Sequence, residues 1–216
     1  MRKRWGGLRA RAGRKRVEPG RRRVEHQRRE EFAGATPLHV TVRLVKGLPT
    51  LRSKRTAKAL KKAFIAGNDR FGFRLVHFSV ISNHLHFIVE AEDRTSLSRG
   101  MQGLMVRIAR HLNSALVRSG KVFADRFHAN VLRTTLQVRN ALLYVLNNAR
   151  RHGIAFSGAL DPYSSGAWFT GWRDDYAQPQ RECPIAPART AQLRFGFLLH
   201  GRLDPFRVPG PQLPLA

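Results

Sequence analysis

The chain has 216 residues, with 40 Lys and Arg against 14 Asp and Glu, a formal net charge of +26. With 42% hydrophobic residues it can bury a core, which excludes global disorder, and its length suits one domain of ordinary size with appendages. The longest apolar run, at 141–146, falls far short of the roughly 18 residues a membrane-spanning helix needs, and the lone Cys183 excludes an intramolecular disulfide framework and a Cys-rich zinc site.

A positive surplus of this size calls for an anionic partner, and nucleic acid is favoured over a membrane surface. No apolar segment of signal-peptide type follows the basic N-terminus, so a cytoplasmic, nucleoid-associated protein is expected. Residues 1–35 read as a disordered basic arm: 2–29 hold clustered Arg and Lys with a Gly/Pro scatter and too few apolar side chains to offset ordering entropy.

Patterned sequence starts at Pro37. Residues 38–45 alternate as a first strand, with His39, Thr41 and Arg43 on one side and Val40, Val42 and Leu44 on the other. A helix is expected over 55–66, two strands over 73–81 and 84–91 joined at Ser82-Asn83, and a long helix over 97–117 with Leu104, Ile108, Leu112 and Leu116 on one stripe. A fourth strand over 122–133 and a closing helix over 134–152 follow, the latter opened by a Thr134/Gln137 capping box and stopped at Gly153. The order strand, helix, strand, strand, helix, strand is that of an α+β, ferredoxin-like split βαβ core with a four-stranded antiparallel sheet, and the last helix is an addition to it. These elements define a domain over 36–153. Residues 154–216, rich in Gly, Pro and Trp, form an extension of which only part needs to be ordered.

Two features carry chemistry. On a strand, His84 and His86 point to the same face, half a metal site built of neutral ligands, whereas the bland reading is a pair of histidines hydrogen-bonded across a sheet. On the closing helix Val138, Leu142, Val145, Leu146 and Ala149 form the core stripe, which leaves Gln137, Asn140, Tyr144, Asn148 and Arg151 on the polar side. Tyr144 and Asn148 are one turn apart and can reach one site. Two imidazoles, an amide oxygen and a phenol are the parts needed for phosphodiester cleavage by a tyrosine, with a metal ion and nearby arginines offsetting the weak nucleophilicity of a phenol at neutral pH. No P-loop, dinucleotide-binding or serine-nucleophile pattern competes.

Four segments, His39-Val40-Thr41-Val42-Arg43, Asn83-His84-Leu85-His86, Phe123-Ala124-Asp125-Arg126-Phe127-His128 and Tyr144-Val145-Leu146-Asn147-Asn148-Ala149-Arg150, occur in the order seen in a known family. The chain resembles the REP-associated tyrosine transposases of the insertion sequence 200-like, single-tyrosine HUH superfamily over residues 36–153. It departs from them after the tyrosine, where Asn148-Ala149-Arg150-Arg151 stands in place of a common Asn-Pro-Val-Arg.

The resemblance implies a divalent metal, Mg²⁺ or Mn²⁺, on His84, His86 and Asn148. It implies attack by Tyr144 on single-stranded DNA at hairpin ends, giving a 5′-phosphotyrosine and a free 3′-OH. A homodimer with exchanged tyrosine helices and a monomer using its own tyrosine are both known arrangements. DNA contacts are expected from the basic arm, from Arg43, Arg126 and His128 on the sheet, and from Arg107, Arg110, Arg139, Arg150 and Arg151 on helices. Phe73, Phe123, Trp168 and Trp172 are candidate base-stacking platforms. The alternative is a domesticated relative that holds DNA or RNA hairpins without cutting them.

Overall fold

The computed structural model describes residues 30–176, 178–180 and 182–210. Nearly all of the expected basic arm, residues 1–29, lies outside these.

Strand β1 runs over Ala33–Arg43, so pairing starts earlier than Pro37. Helix α1, Lys54–Ile65, begins with a capping box in which the Ser53 hydroxyl accepts from the Thr56 amide. Strands β2 (Asp69–Arg70), β3 (Phe73–Val80) and β4 (His84–Asp93) follow, then α2 (Arg94–Ala115), N-capped by Asp93. The rest comprises β5 (His128–Val131), α3 (Thr135–Leu146), α4 (Asn148–Arg151), a 3-10 turn at Ser165–Trp168, α5 (Ala191–Arg194) and a second 3-10 turn at Gly196–His200. The strands form one antiparallel sheet in the order β2-β3-β4-β1-β5.

Three sequence expectations need correction. The sheet has five strands, because Asp69 and Arg70 pair with Arg74 and Phe73 and add a short edge. The expected fourth strand over 122–133 pairs only at 128–131. Its first half is held by a bridge between Leu44 and Phe123 and by the Ala124 amide on the Arg43 carbonyl, after which Ala124, Asp125 and Arg126 turn out to solvent. The expected closing helix over 134–152 is interrupted at Asn147, which sits at φ −104°, ψ 16°. The Asn147 amide donates to the carbonyls of Asp204 (3.0 Å) and Arg207 (2.9 Å), so a tertiary contact fixes the break. The Thr134/Gln137 capping box is present, and Gly153 has the positive φ of a helix stop.

The sheet is covered on both faces. Leu38, Val40 and Val42 of β1 and Leu85, Phe87 and Val89 of β4 point to α1 and α2, whose Leu60, Phe64, Leu97, Met101, Leu104, Ile108 and Leu112 complete that core. On the other face Val76 and Ile88 meet Val138, Leu142, Val145 and Leu146 of α3, and these pack with Phe169, Trp172, Leu193, Phe197 and Leu203 of the C-terminal extension. Phe73, Phe123 and Trp172 are therefore core residues, not platforms for bases. Trp168 is half-buried.

Buried polar contacts fasten the extension. The Glu90 carboxylate accepts from the Arg189 amide and from the amide and hydroxyl of Thr190 at 2.7–3.0 Å. Asp161 takes a bidentate pair from Arg52 at 2.8 and 2.9 Å, and the Ser165 hydroxyl meets His77 Nδ1 and the Phe78 amide. Among the described residues no helix is long and apolar enough to cross a membrane.

Candidate active site

The antiparallel register places Thr41 opposite His86 and Arg43 opposite His84. Opposed residues share a face, so His39, Thr41, Arg43, His84 and His86 lie together on the side that carries α3. The centroids of His84 and His86 are 4.8 Å apart. The rings of His39 and His86 stack at 5.3 Å and 20°.

Hydrogen bonds select the tautomer of His84 and are compatible with the same tautomer in His86. His84 Nδ1 lies 2.9 Å from Asn83 Oδ1. An amide oxygen only accepts, so Nδ1 carries the proton and Nε2 keeps a lone pair. His86 Nδ1 lies 3.1 Å from both His39 Nε2 and Thr41 Oγ1, either of which can accept from it. His86 Nε2 is buried without a hydrogen-bond partner among the described residues. Burial keeps these rings neutral. It lowers His39 and His84 to about 4, with His152 and Arg43 adding to the effect on His84. His86 falls to about 2 through burial first and then the neighbouring His39, His84, His152 and Arg43. A neutral imidazole with a free Nε2 is the ligand form of histidine.

The apolar stripe of α3 seats the helix and leaves Tyr144, half-buried, at the edge of the stripe. Its ring meets His86 at 5.4 Å and His39 at 5.6 Å, both edge-on. The same chain supplies the tyrosine and the histidines. Asn148, one residue after the break, is fully buried, and neither its amide oxygen nor its nitrogen has a partner among the described residues. It thus does not lie on an exposed polar stripe as a continuous helix would have placed it. Two orphaned polar atoms on one buried amide, with an orphaned imidazole nitrogen on the neighbouring strand, are costly unless a ligand satisfies them. An amide oxygen and two neutral imidazoles are donors that can hold a divalent cation. Among the described residues no three or more His, Cys, Asp and Glu side chains are grouped so that they could hold a metal ion; His84 and His86 would need the Asn148 oxygen to complete a set.

Two contributors were not assigned from sequence. His39 was visible as one of three polar residues alternating along β1, but its contact with His86 depends on strand pairing. His152, at the end of α4, is brought to 5.2 Å from the His84 ring by the turn that closes the helix.

The expected DNA-binding residues are in different settings. Arg43 and His128 are exposed on neighbouring strands, and Arg126 is exposed on the loop before β5 and not on a strand. Arg151 places its guanidinium 5.8 Å from the Tyr144 ring centroid and donates to the Pro209 carbonyl. Arg139 donates to the Gly201 carbonyl at 3.3 Å. Arg150 is a clamp on the extension: it donates to the carbonyls of Pro205 and Ala159 at 2.8 Å and lies over Phe156 and Phe206.

The sequence profile of the family described as "Transposase IS200 like" matches residues 38–148, just over half of the chain. The chain belongs to the IS200-like transposase family. The family match opens in β1 and closes on Asn148, so it contains His39, His84, His86, Tyr144 and Asn148 and omits the extension. Among solved structures, a REP-associated tyrosine transposase bound to a REP hairpin matches with a TM-score of 0.55 at 18% identity, over 73% of this chain and 98% of that one. At that identity the likeness is one of fold. A chain from Deinococcus radiodurans R1 described as a candidate transposase matches with a TM-score of 0.39 at 15% identity, over 50% of this chain and 87% of that one. No curated protein matches the sequence.

Proposed function

We propose that this family member cuts and rejoins single-stranded DNA beside hairpin ends, with Tyr144 as the nucleophile and the chain using its own tyrosine. The observation that carries the reading is the position of the Tyr144 ring against His86 and His39, with the buried, unpartnered Asn148 amide one turn further on. His84, His86 and Asn148 would hold Mg²⁺ or Mn²⁺. Such an ion, when bound, polarises the scissile phosphate and offsets the charge that develops on it.

The chain's own residues do the rest. The Tyr144 oxygen forms a bond to phosphorus and the bond to the 3′ oxygen breaks, leaving a 5′-phosphotyrosine and a 3′-hydroxyl. In balance the phenol proton ends on that hydroxyl, and the reverse reaction rejoins the strand. The Arg151 guanidinium beside the ring favours the anionic attacking oxygen and the phosphate. Arg43, Arg126, His128 and Arg139 supply backbone contacts on the surrounding surface. The same fold in a protein solved with a REP hairpin supports hairpin DNA as the substrate class.

Incubation with Mn²⁺ and a hairpin oligonucleotide carrying a single-stranded flank is expected to give a protein–DNA adduct that survives SDS. Tyr144→Phe and excess chelator are each expected to abolish it. Equal adduct from wild type and Tyr144→Phe would overturn the assignment, and binding without any adduct would favour a hairpin-holding protein.

A further inference from the structure

The face of α2 turned away from the core carries a feature that neither the fold nor the cleavage site uses. Strands β2 and β3 are joined by the two-residue turn Phe71-Gly72, both at positive φ, +54° and +72°. That is the type I′ pattern, in which Asn, Asp or Gly are favoured at the first central position. A phenylalanine there is disfavoured by its backbone, and packing does not repay it, because Phe71 is 77% exposed. Glu92 and Ser96 stand behind Gly72, on the inner side of the turn.

Phe71 overhangs a cavity of about 580 Å³ whose other walls are Arg99, Gln102, Gly103, Val106, Arg107 and Arg110 of α2. These positions fall on one side of the helix at about 100° per residue, opposite the stripe of Leu97, Met101, Leu104, Ile108 and Leu112. Among the described residues the cavity wall includes no acidic side chain, and Arg107 and Arg110 make no hydrogen bond or ion pair. The Asp93 carboxyl is held below its ordinary value first by its hydrogen bonds to Ser96 at the start of α2, with Arg99 a minor contributor. Val106, half exposed, gives an apolar floor between the guanidinium groups.

An exposed aromatic face beside arginines, in a cavity lined by no carboxylate among the described residues, suits a nucleotide: a base stacks on the ring and phosphates meet the guanidinium groups. A basic N-terminal arm is the wrong charge to fill it. We propose that this cavity is a second nucleic-acid site, which stacks an unpaired base of single-stranded DNA on Phe71 and holds the flanking phosphates with Arg99, Arg107 and Arg110.

The site lies on the opposite sheet face from His86. Its Phe71 end lies beside the end of β4 at which Ala91 pairs with Phe73, five residues along the strand from His86. It would hold the strand beyond the point of cleavage, and it rests on the DNA-acting reading only for the choice of DNA as its polyanion.

The test uses the full chain with Tyr144→Phe, so that binding is read without cutting and a failure of the cleavage reading leaves the result intact. Affinity for a fluorescent single-stranded oligonucleotide and for a blunt duplex of equal length is measured with and without Phe71→Asn. Asn suits the turn better than Phe, so this variant is expected to melt at the same or a higher temperature. It is expected to bind the single strand roughly tenfold more weakly while its duplex binding is unchanged. The double variant Arg107→Gln/Arg110→Gln is expected to weaken single-strand binding as well. Unchanged single-strand affinity in Phe71→Asn would overturn the proposal, and so would an equal loss on the duplex, because stacking of an unpaired base cannot produce it.

Discussion

His86 must keep Nε2 free if it is to bind anything, and that depends on where its other nitrogen places a proton. The contacts of Nδ1 with His39 and Thr41 make His39 a positioning residue: its stacked ring holds the ring plane of His86, and by accepting from Nδ1 it favours the tautomer with Nε2 free. His39→Ala is expected to weaken Mn²⁺ binding by about ten- to a hundredfold. His39→Gln, whose amide oxygen can accept from Nδ1, should recover part of the loss. Calorimetric titration with Mn²⁺ checks both, and unchanged affinity in His39→Ala would show that Thr41 alone suffices. At this scale the sequence was informative wherever strand period alone decided direction, as for His84 and His86. It was silent where a contact needs the register between strands, as for His39, and it singled out Asn148 but not the kink, set by a distant segment, that buries it. Phe71 escaped notice for a related reason: its backbone strain and exposure exist only once the hairpin is closed.

At the scale of elements, the arrangement of Tyr144 and Asn148 depends on the break between α3 and α4, which the extension holds. Asn147 donates to two carbonyls near residues 204–207, Arg150 ties the short helix to Pro205 and Ala159, and Arg151 reaches Pro209. Asn147→Ala would leave these carbonyls short of a donor and is expected to cost about 1–3 kcal/mol, measured by urea unfolding. It should reduce adduct formation beyond what the stability loss explains, because α3 could then run on as a continuous helix and carry Asn148 away from the histidines. Normal cleavage by a folded Asn147→Ala protein would contradict this role. The helix positions were legible from 3.6-residue periodicity and caps, and the capping box at Thr134 is an instance. The interruption was not, because its partners lie about 60 residues downstream in a segment with no periodicity. The ladder at 122–127 failed similarly: its composition suits a strand, but only one bridge to Leu44 is available on that side of β1.

Across the whole molecule, several neutral histidines are buried in a strongly basic chain, and this sets a pH dependence of stability. His39 and His77 titrate in the folded protein at about 4 and about 3 because burial disfavours the charged ring. The unfolded chain binds those protons near 6.5. Below that pH the unfolded state therefore carries more protons than the folded one, so stability present above pH 6.5 is lost as pH falls toward the folded values. Each such histidine contributes about 1.4 kcal/mol per pH unit once the pH is well below 6.5. Urea melts between pH 7 and 4.5 should show a steepening decline, and a flat profile would contradict the burial.

The +26 charge, the two-faced sheet and the family match all point to DNA, but the central claim concerns one oxygen atom. The most direct measurement is mass spectrometry of protease-digested adduct formed with Mn²⁺ and a hairpin oligonucleotide. A nucleotide 5′-phosphate is expected on the peptide containing Tyr144, with the residue-level fragments placing it on that phenol. Attachment to Tyr163, Tyr176 or a serine would contradict it.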